Sequence, residues 1–244
     1  MPRGQWGANQ LQAVLFLKKA LPPIDIYSAL TGNPPDTQED RPKEGVRMQV
    51  GSPSNDRLLQ VISGPVRLDI VESCVIGADV LSGAGPTFGD FNSEIEKFVT
   101  MISQWLPQFS FPVLRLALVA KALAPADTPE DAYEILKDNL SSVQVRPGQM
   151  RDLLFRVNWR ASTESMPERY LNRLTTWTAL RFGARASIPG GPEFAAVEMH
   201  YAQREIDVST PIEHAEELPH EALLPIFEEL FHLVIQTAEV GERA

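Results

Sequence analysis

Residues 151–160 read RDLLFRVNWR, and this stretch is the clearest strand pattern in the chain. Apolar side chains alternate with polar ones, so that one face of the predicted strand is apolar and the other is polar. A period of two is typical of a strand that has one buried and one solvated face. The apolar face carries Leu153, Phe155, Val157 and Trp159, and the polar face carries Asp152, Arg156, Asn158 and Arg160.

Further strands and helices can be placed around this stretch. Apolar runs and alternation predict strands near 11–17, 46–50, 58–62, 66–70, 114–122, 173–182 and 195–208. Ser63-Gly64-Pro65 predicts a tight reversal between two of them. Apolar residues at helical spacing predict helices from about 90 to 106 and from about 219 to 238, and Thr128-Pro129 is a strong start for a helix between them. Most of 21–44 is predicted to be a surface loop, with a short helix near 24–30.

The order of these elements favours an α+β fold. We predict a mostly antiparallel sheet built from two strand-rich halves, each closed by an amphipathic helix, with the helices mainly on one face. The halves are residues 1–124 and 125–244, and we expect them to form one compact unit that shares the sheet.

Composition and charge restrict the class of protein. The chain has 244 residues, 43% of them hydrophobic and 22% charged, which is ordinary for a globular protein. A net charge of -10 argues against non-specific binding to nucleic acid or to anionic lipid. The only cysteine, Cys74, and the absence of a long apolar run near the N-terminus predict a cytoplasmic protein without a membrane partner.

Common catalytic motifs are missing from the sequence. It contains no phosphate-binding loop, no nucleophile elbow and no His-Glu-x-x-His zinc helix. His214 and His220 lie among glutamates, but this pattern favours an acidic loop that leads into a helix. We therefore predict no cofactor and no metal site, and we lean against an enzyme.

Charge is segregated along the chain. Residues 1–149 carry a net charge of -4, residues 150–205 carry +2 with arginine as their only basic residue apart from histidine, and residues 206–244 carry -8. We expect the arginine-bearing strands to present a common sheet face, away from the helices, that is either an ordinary solvated face or a surface that docks an acidic partner. The candidate residues of this face are Arg156, Arg160, Arg173, Arg181, Glu198, His200 and Arg204.

The pattern of elements resembles a sporadically distributed family of uncharacterised bacterial proteins of about this length. The similar parts are the strand at 11–17, the hairpin at 58–70, the helix at 98–105 with LRLAL at 114–118, and the apolar strand at 197–201. An acidic loop and a closing helix with Phe227 and His232 complete the likeness. The resemblance implies the fold and a bacterial origin, and it implies no activity.

Two functions are compatible with these observations. The first is a non-catalytic interaction protein, such as an adaptor, a regulator or an immunity-type partner in a bacterial system, for example one concerned with defence. The second is an enzyme or a small-ligand protein that binds an anionic substrate through Arg156, Arg160, Arg181, Glu198 and His200. A protein partner is expected in the first case, nucleic acid remains an alternative at the arginine face, and the sequence makes no prediction of the oligomeric state.

Overall fold

We analysed a computed structural model of the chain, which describes residues 4–75, 85–184, 197–213 and 216–241. Its strands form a single antiparallel sheet with the order β2-β3-β4-β5-β1-β6-β9-β8-β7. The strands are β1 (Gly7–Leu17), β2 (Thr37–Arg41), β3 (Val46–Ser54), β4 (Arg57–Ser63), β5 (Arg67–Cys74), β6 (Val113–Ala126), β7 (Leu154–Ser162), β8 (Tyr170–Ala184) and β9 (Val197–Ser209).

The first strand of the chain is the central strand of the sheet. Ala13 of β1 pairs with Ile70 of β5 on one side and with Leu118 of β6 on the other. β1 has a neighbour on each side and most of its side chains are buried, which agrees with the apolar sequence of residues 11–17, where Gln12 is the one polar residue. The strands of residues 1–126 form one side of the sheet and β7 to β9 complete the other, so the expected boundary at 124 falls inside β6.

The helices pack on one face of this sheet. They are α1 (Ile26–Thr31), α2 (Phe91–Trp105), α3 (Pro129–Asn139) and α4 (Leu223–Val240). The main core places apolar residues of α2 and α4 against alternate residues of β1, β6 and β9, and a smaller cluster lies under α3. The α+β fold with a mostly antiparallel sheet is therefore confirmed. Within the described ranges, none of the helices has the length and apolar character needed to cross a membrane.

Local sequence signals account for most helix boundaries. The side chain of Thr128 accepts a hydrogen bond from the backbone N–H of Asp131, so it caps α3 as predicted. The cap of α2 is Asp90, whose carboxylate accepts a hydrogen bond from the backbone N–H of Ser93. A short 3₁₀ helix at His220–Ala222 precedes α4, and the regular helix consequently begins later than expected.

One strand was not predicted from the sequence. Residues Thr37–Arg41 read TQEDR, all five are exposed, and they form the edge strand β2 instead of a loop. Their extended conformation comes from pairing with β3, in which Glu39 lies opposite Met48. Composition alone gives no sign of such a strand, because acidic and amide side chains are depleted in strands.

The loop between β7 and β8 is attached to α4 by a carboxylate. Glu229 accepts hydrogen bonds from the backbone N–H groups of Glu164 and Ser165, at 3.0 and 2.7 Å, and from the hydroxyls of Thr163 and Ser165. These donors hold the pKa of Glu229 below its usual value, although its partial burial opposes them. Glu229 therefore links α4 to the loop between β7 and β8.

Replacement of Glu229 by Gln is expected to lower the free energy of unfolding by about 1 kcal/mol at neutral pH, because the charge-assisted hydrogen bonds are lost. A carboxyl group with a lowered pKa stabilises the fold above its unfolded pKa, near 4.5, and loses this contribution as the pH falls through the folded pKa. The difference between the wild type and Glu229→Gln should therefore shrink at acid pH. Urea unfolding at several pH values measures it.

The matched control is Glu228→Gln, which removes the same charge from the neighbouring exposed position of α4. We expect this variant to unfold like the wild type, within about 0.5 kcal/mol. Equal effects of the two substitutions would show that Glu229 contributes only its charge.

Candidate functional site

The predicted arginine face is divided between the two sides of the sheet. Direct cross-strand partners share a face, and Arg204 of β9 is paired with Trp177 of β8, which in turn is paired with Phe155 of β7. This face is the one that the helices cover, because Trp177 belongs to the cluster under α3. Of the predicted residues, Arg173, Arg181, Glu198, His200 and Arg204 lie on the helix side, and only Arg156 and Arg160 lie on the open side.

The expectation of a common face was wrong. In β8 and β9, the side chains that were expected to face the helices lie on the open side of the sheet, and the side chains that were expected on the open side face the helices. Alternation in β8 correctly separates Leu174 and Leu180 from Arg173, but the apolar set lies on the open side. The helix side instead receives Trp177, which is completely buried, together with the small residue Ala202 opposite Ala179. Large aromatic burial therefore determines which side of β8 faces the helices.

Arg204 is a core residue. Its guanidinium carbon lies 4.5 Å from the ring centre of Trp6 and 4.8 Å from that of Phe91, and its Nη1 donates a 2.6 Å hydrogen bond to the carbonyl of Ala238 in the last turn of α4. Only 3% of the residue is exposed, and burial lowers its pKa to about 9. The side chain therefore stays charged at neutral pH, between two aromatic faces and the negative end of a helix.

Arg173 is buried as well. It faces the helix side between Trp159 of β7 and Val208 of β9, and burial lowers the pKa of its guanidinium. Its Nε has no hydrogen-bond partner among the described residues. Neither Arg173 nor Arg204 is available as an exposed docking residue.

Replacement of Arg204 by Ala is expected to lower the free energy of unfolding by about 3 kcal/mol or more, because a cavity would remain between Trp6 and Phe91. The exposed Arg156→Ala is the control, with an expected change within about 0.5 kcal/mol. Urea unfolding of the two variants makes the comparison. Similar stabilities would contradict the structural role of Arg204.

Three of the predicted residues meet in a cleft beside α3. The His200 Nε2 atom lies 3.2 Å from Oε1 of Glu198, and Nη1 of Arg181 lies 3.8 Å from the other carboxylate oxygen. The His200 side chain is only 11% exposed, whereas Arg181 and Glu198 extend to solvent. The cleft has a volume of about 230 Å³, and its walls come from the first half of α3, residues 150–152 and the ends of β8 and β9.

The remaining two candidates lie on the free edge strand β7. Arg156 and Arg160 are exposed on the open side, and Arg160 stacks on Tyr170 with its guanidinium carbon 4.3 Å from the ring centre. Neither arginine forms an ion pair within the described ranges. Leu154 and Trp159 of the same strand are 67% and 49% exposed, which is unusual for large apolar side chains on a strand edge.

The two edges of the sheet therefore differ in chemistry. At the β2 edge, ion pairs join Arg41 to Glu39 at 2.7 Å and Arg47 to Asp40 at 2.6 Å. At the β7 edge, the arginines form no ion pair with the described part of the chain, and apolar side chains are exposed beside them. The sequence identified the arginines of β7, but it could not show that this strand ends the sheet formed by the described strands.

The open face near β7 contains a further group that the sequence did not indicate. Asp207 of β9 is largely buried, which raises the pKa of its carboxyl group, although Arg115 and Arg156 lower it in part. One of its oxygens has no hydrogen-bond partner among the described residues. Arg115 itself is held by the carbonyl of Thr210 and the hydroxyl of Ser209, at 2.8 and 2.9 Å.

Side chains that could bind a metal are not clustered in the described part of the chain. The described residues contain no group of three or more His, Cys, Asp and Glu side chains that could hold a metal ion. His214 lies outside the described residues, so its predicted place in an acidic loop stays a prediction.

Comparison of the chain with protein-family models, with curated proteins and with solved structures found no match. The resemblance to a bacterial family likewise stays a prediction.

Proposed function

We propose that this protein is a non-catalytic interaction protein that binds an extended, acidic segment of a partner protein along the free edge of β7. Such a protein would serve as an adaptor, a regulator or an immunity-type partner in a bacterial system, defence systems included. The observation that carries the proposal is the combination, on one edge strand, of exposed apolar side chains with two arginines that form no ion pair with any residue the structure describes.

An edge strand offers unpaired backbone groups that a second strand can bind. Addition of a strand supplies affinity through main-chain hydrogen bonds, while alternate side chains supply specificity. Arg156 and Arg160 are four residues apart on one face of β7, with Asn158 between them. An added strand would therefore match them with two carboxylates at the same spacing on one face. Its opposite face would carry apolar residues next to Val157 and Trp159.

A second copy of β7 is a poorer occupant than an acidic strand. If two copies paired antiparallel with full overlap, the strands would be centred on Asn158. Arg156 of one copy would then lie opposite Arg160 of the other, and like charges directly opposite each other destabilise a sheet. Charge complementarity thus favours an acidic partner.

A peptide as long as β7, with the central sequence Glu-Val-Thr-Val-Glu, is expected to bind the protein. The double variant Arg156→Glu, Arg160→Glu should bind it at least about tenfold more weakly, because attraction becomes repulsion. Fluorescence anisotropy of the labelled peptide measures the affinity. Hydrogen exchange should show new protection of the β7 amides when the peptide is bound.

Two controls make this result specific. The variant Lys19→Glu, Lys43→Glu changes the net charge equally at exposed positions away from β7 and should bind like the wild type. A peptide with Lys in place of both Glu residues should not bind. Equal binding of the two peptides would contradict the charge matching, and preferential binding of a single-stranded oligonucleotide would favour a nucleic-acid interface instead.

The affinity for the acidic peptide should also fall as salt is added. The distance over which exposed charges interact decreases from about 10 Å at 0.1 M ionic strength to about 3 Å at 1 M. A salt titration of the wild type should show this loss, while the residual binding of the double variant should not weaken with salt. An affinity of the wild type that does not depend on salt would show that the arginines do not take part.

A further inference from the structure

The cleft beside α3 has the features of a small-molecule site that is separate from the β7 edge. Tyr133, Met150 and Ala179 contribute apolar or aromatic surface to its walls. Its volume of about 230 Å³ is smaller than the roughly 300–1,000 Å³ of typical drug-sized pockets. It therefore suits a molecule with one ring or a short apolar chain.

Two guanidinium groups at the rim have donors to spare. Arg151 forms no hydrogen bond or ion pair within the part of the chain that the structure describes. Arg181 approaches Glu198 only to 3.8 Å, which is beyond hydrogen-bond distance. Guanidinium groups bind carboxylates and phosphates through paired N–H donors, so both groups are suited to an anionic ligand.

A largely buried imidazole completes the cleft. The Nε2 atom of His200 lies 3.2 Å from a Glu198 carboxylate oxygen, and the other ring nitrogen forms no hydrogen bond within the described residues. An imidazole nitrogen without a protein partner can donate a hydrogen bond to a ligand or accept one from it.

The wall that carries Arg151 is fixed to α3. Asp152 adopts a φ of 55°, in the left-handed region that is uncommon for residues other than glycine. The backbone N–H of the next residue, Leu153, donates to the Tyr133 hydroxyl at 3.4 Å. This turn thereby holds residues 151 and 152 beside the cleft, which limits the ordering needed when a ligand binds.

We propose that this cleft binds a small organic anion, in which a carboxylate or phosphate contacts Arg151 and Arg181 and an apolar body lies on Tyr133 and Met150, next to His200. Glu130 and Asp152 lie on the same rim, so the charges around the cleft nearly cancel. The ligand is accordingly held by direct contact with the guanidinium groups. Long-range attraction, which draws acidic macromolecules to a surface, contributes little here.

The test uses the full chain and three probes that share one ring: phenylacetate, phenyl phosphate and, as a cation, benzylamine. We expect one or both anions to bind and to shift the NMR signals of the His200 imidazole, whereas benzylamine should do neither. Binding of only one of the anions identifies the group, carboxylate or phosphate, that the cleft prefers. Calorimetry measures the affinities.

Substitutions then locate the bound anion. Arg151→Gln and Arg181→Gln should each weaken its binding about tenfold, because one charge-assisted contact is lost. Arg146→Gln is the matched control, since Arg146 is an exposed arginine of the preceding loop that bonds to Gln144 and does not line the cleft. It should bind like the wild type. Circular dichroism of each variant checks that the fold is retained.

Several outcomes would overturn the proposal. One is tighter binding of benzylamine than of either anion, which would show that the carboxylates of the cleft bind a cation. Another is that no anion binds at about 1 mM or better. A third is equal weakening by all three arginine substitutions. The Arg156→Glu, Arg160→Glu variant should keep full affinity for the anion, so failure of the proposed function at β7 would leave this result unaffected.

Discussion

A charged guanidinium that is buried loses its hydrogen bonds to water and needs favourable contacts with the protein in their place. In this protein the contacts come from residues at the ends of three elements. Arg204 lies between Trp6, just before β1, and Phe91, the first residue of α2, and it donates to the carbonyl of Ala238 near the end of α4. Each stacked ring contributes about 2 kcal/mol when the cation is desolvated. Because all three partners must be present at once, this contact requires β9 and the two long helices to hold a fixed relative position.

The position of Arg204 also decides what each side of the sheet can do. Side chains of a strand alternate between the two sides of the sheet. Because Arg204 and Trp177 face the helices, the side on which each other residue of β8 and β9 lies is therefore fixed. His200, Glu198 and Arg181 continue on the same side beyond the cover of α4 and therefore reach the rim of the cleft beside α3. Arg156 and Arg160 of β7 follow the opposite phase and face solvent. One buried contact thus separates two sets of arginines that look equivalent in the sequence.

Patterns of local residues were sufficient for most elements of the fold. The apolar run of β1, the Ser63-Gly64-Pro65 reversal and the Thr128-Pro129 helix start are set by neighbouring residues, and each was predicted. The exposed strand β2 depends on pairing with β3, which a local pattern does not contain. Alternation showed that β8 has two faces, but the choice of the buried face depends on residues distant in sequence, Trp6 and Phe91 among them. For the same reason the sequence identified Arg181, Glu198 and His200 as candidate residues, but it did not predict that they line a cleft.

The strand order has a consequence for synthesis of the chain. Strands β1 to β6 are neighbours in the sheet and come from the first 126 residues. They can pair as soon as these residues have left the ribosome. The partner on the other side of β6 is β9, the last strand to be made, so the β7–β8 hairpin cannot join the sheet earlier. During this interval β6, which reads VLRLALVAKALAPA, presents a long apolar edge. A nascent chain in this state is a target for chaperones or for pairing with another nascent copy, and slower translation between residues 126 and 197 would prolong that exposure.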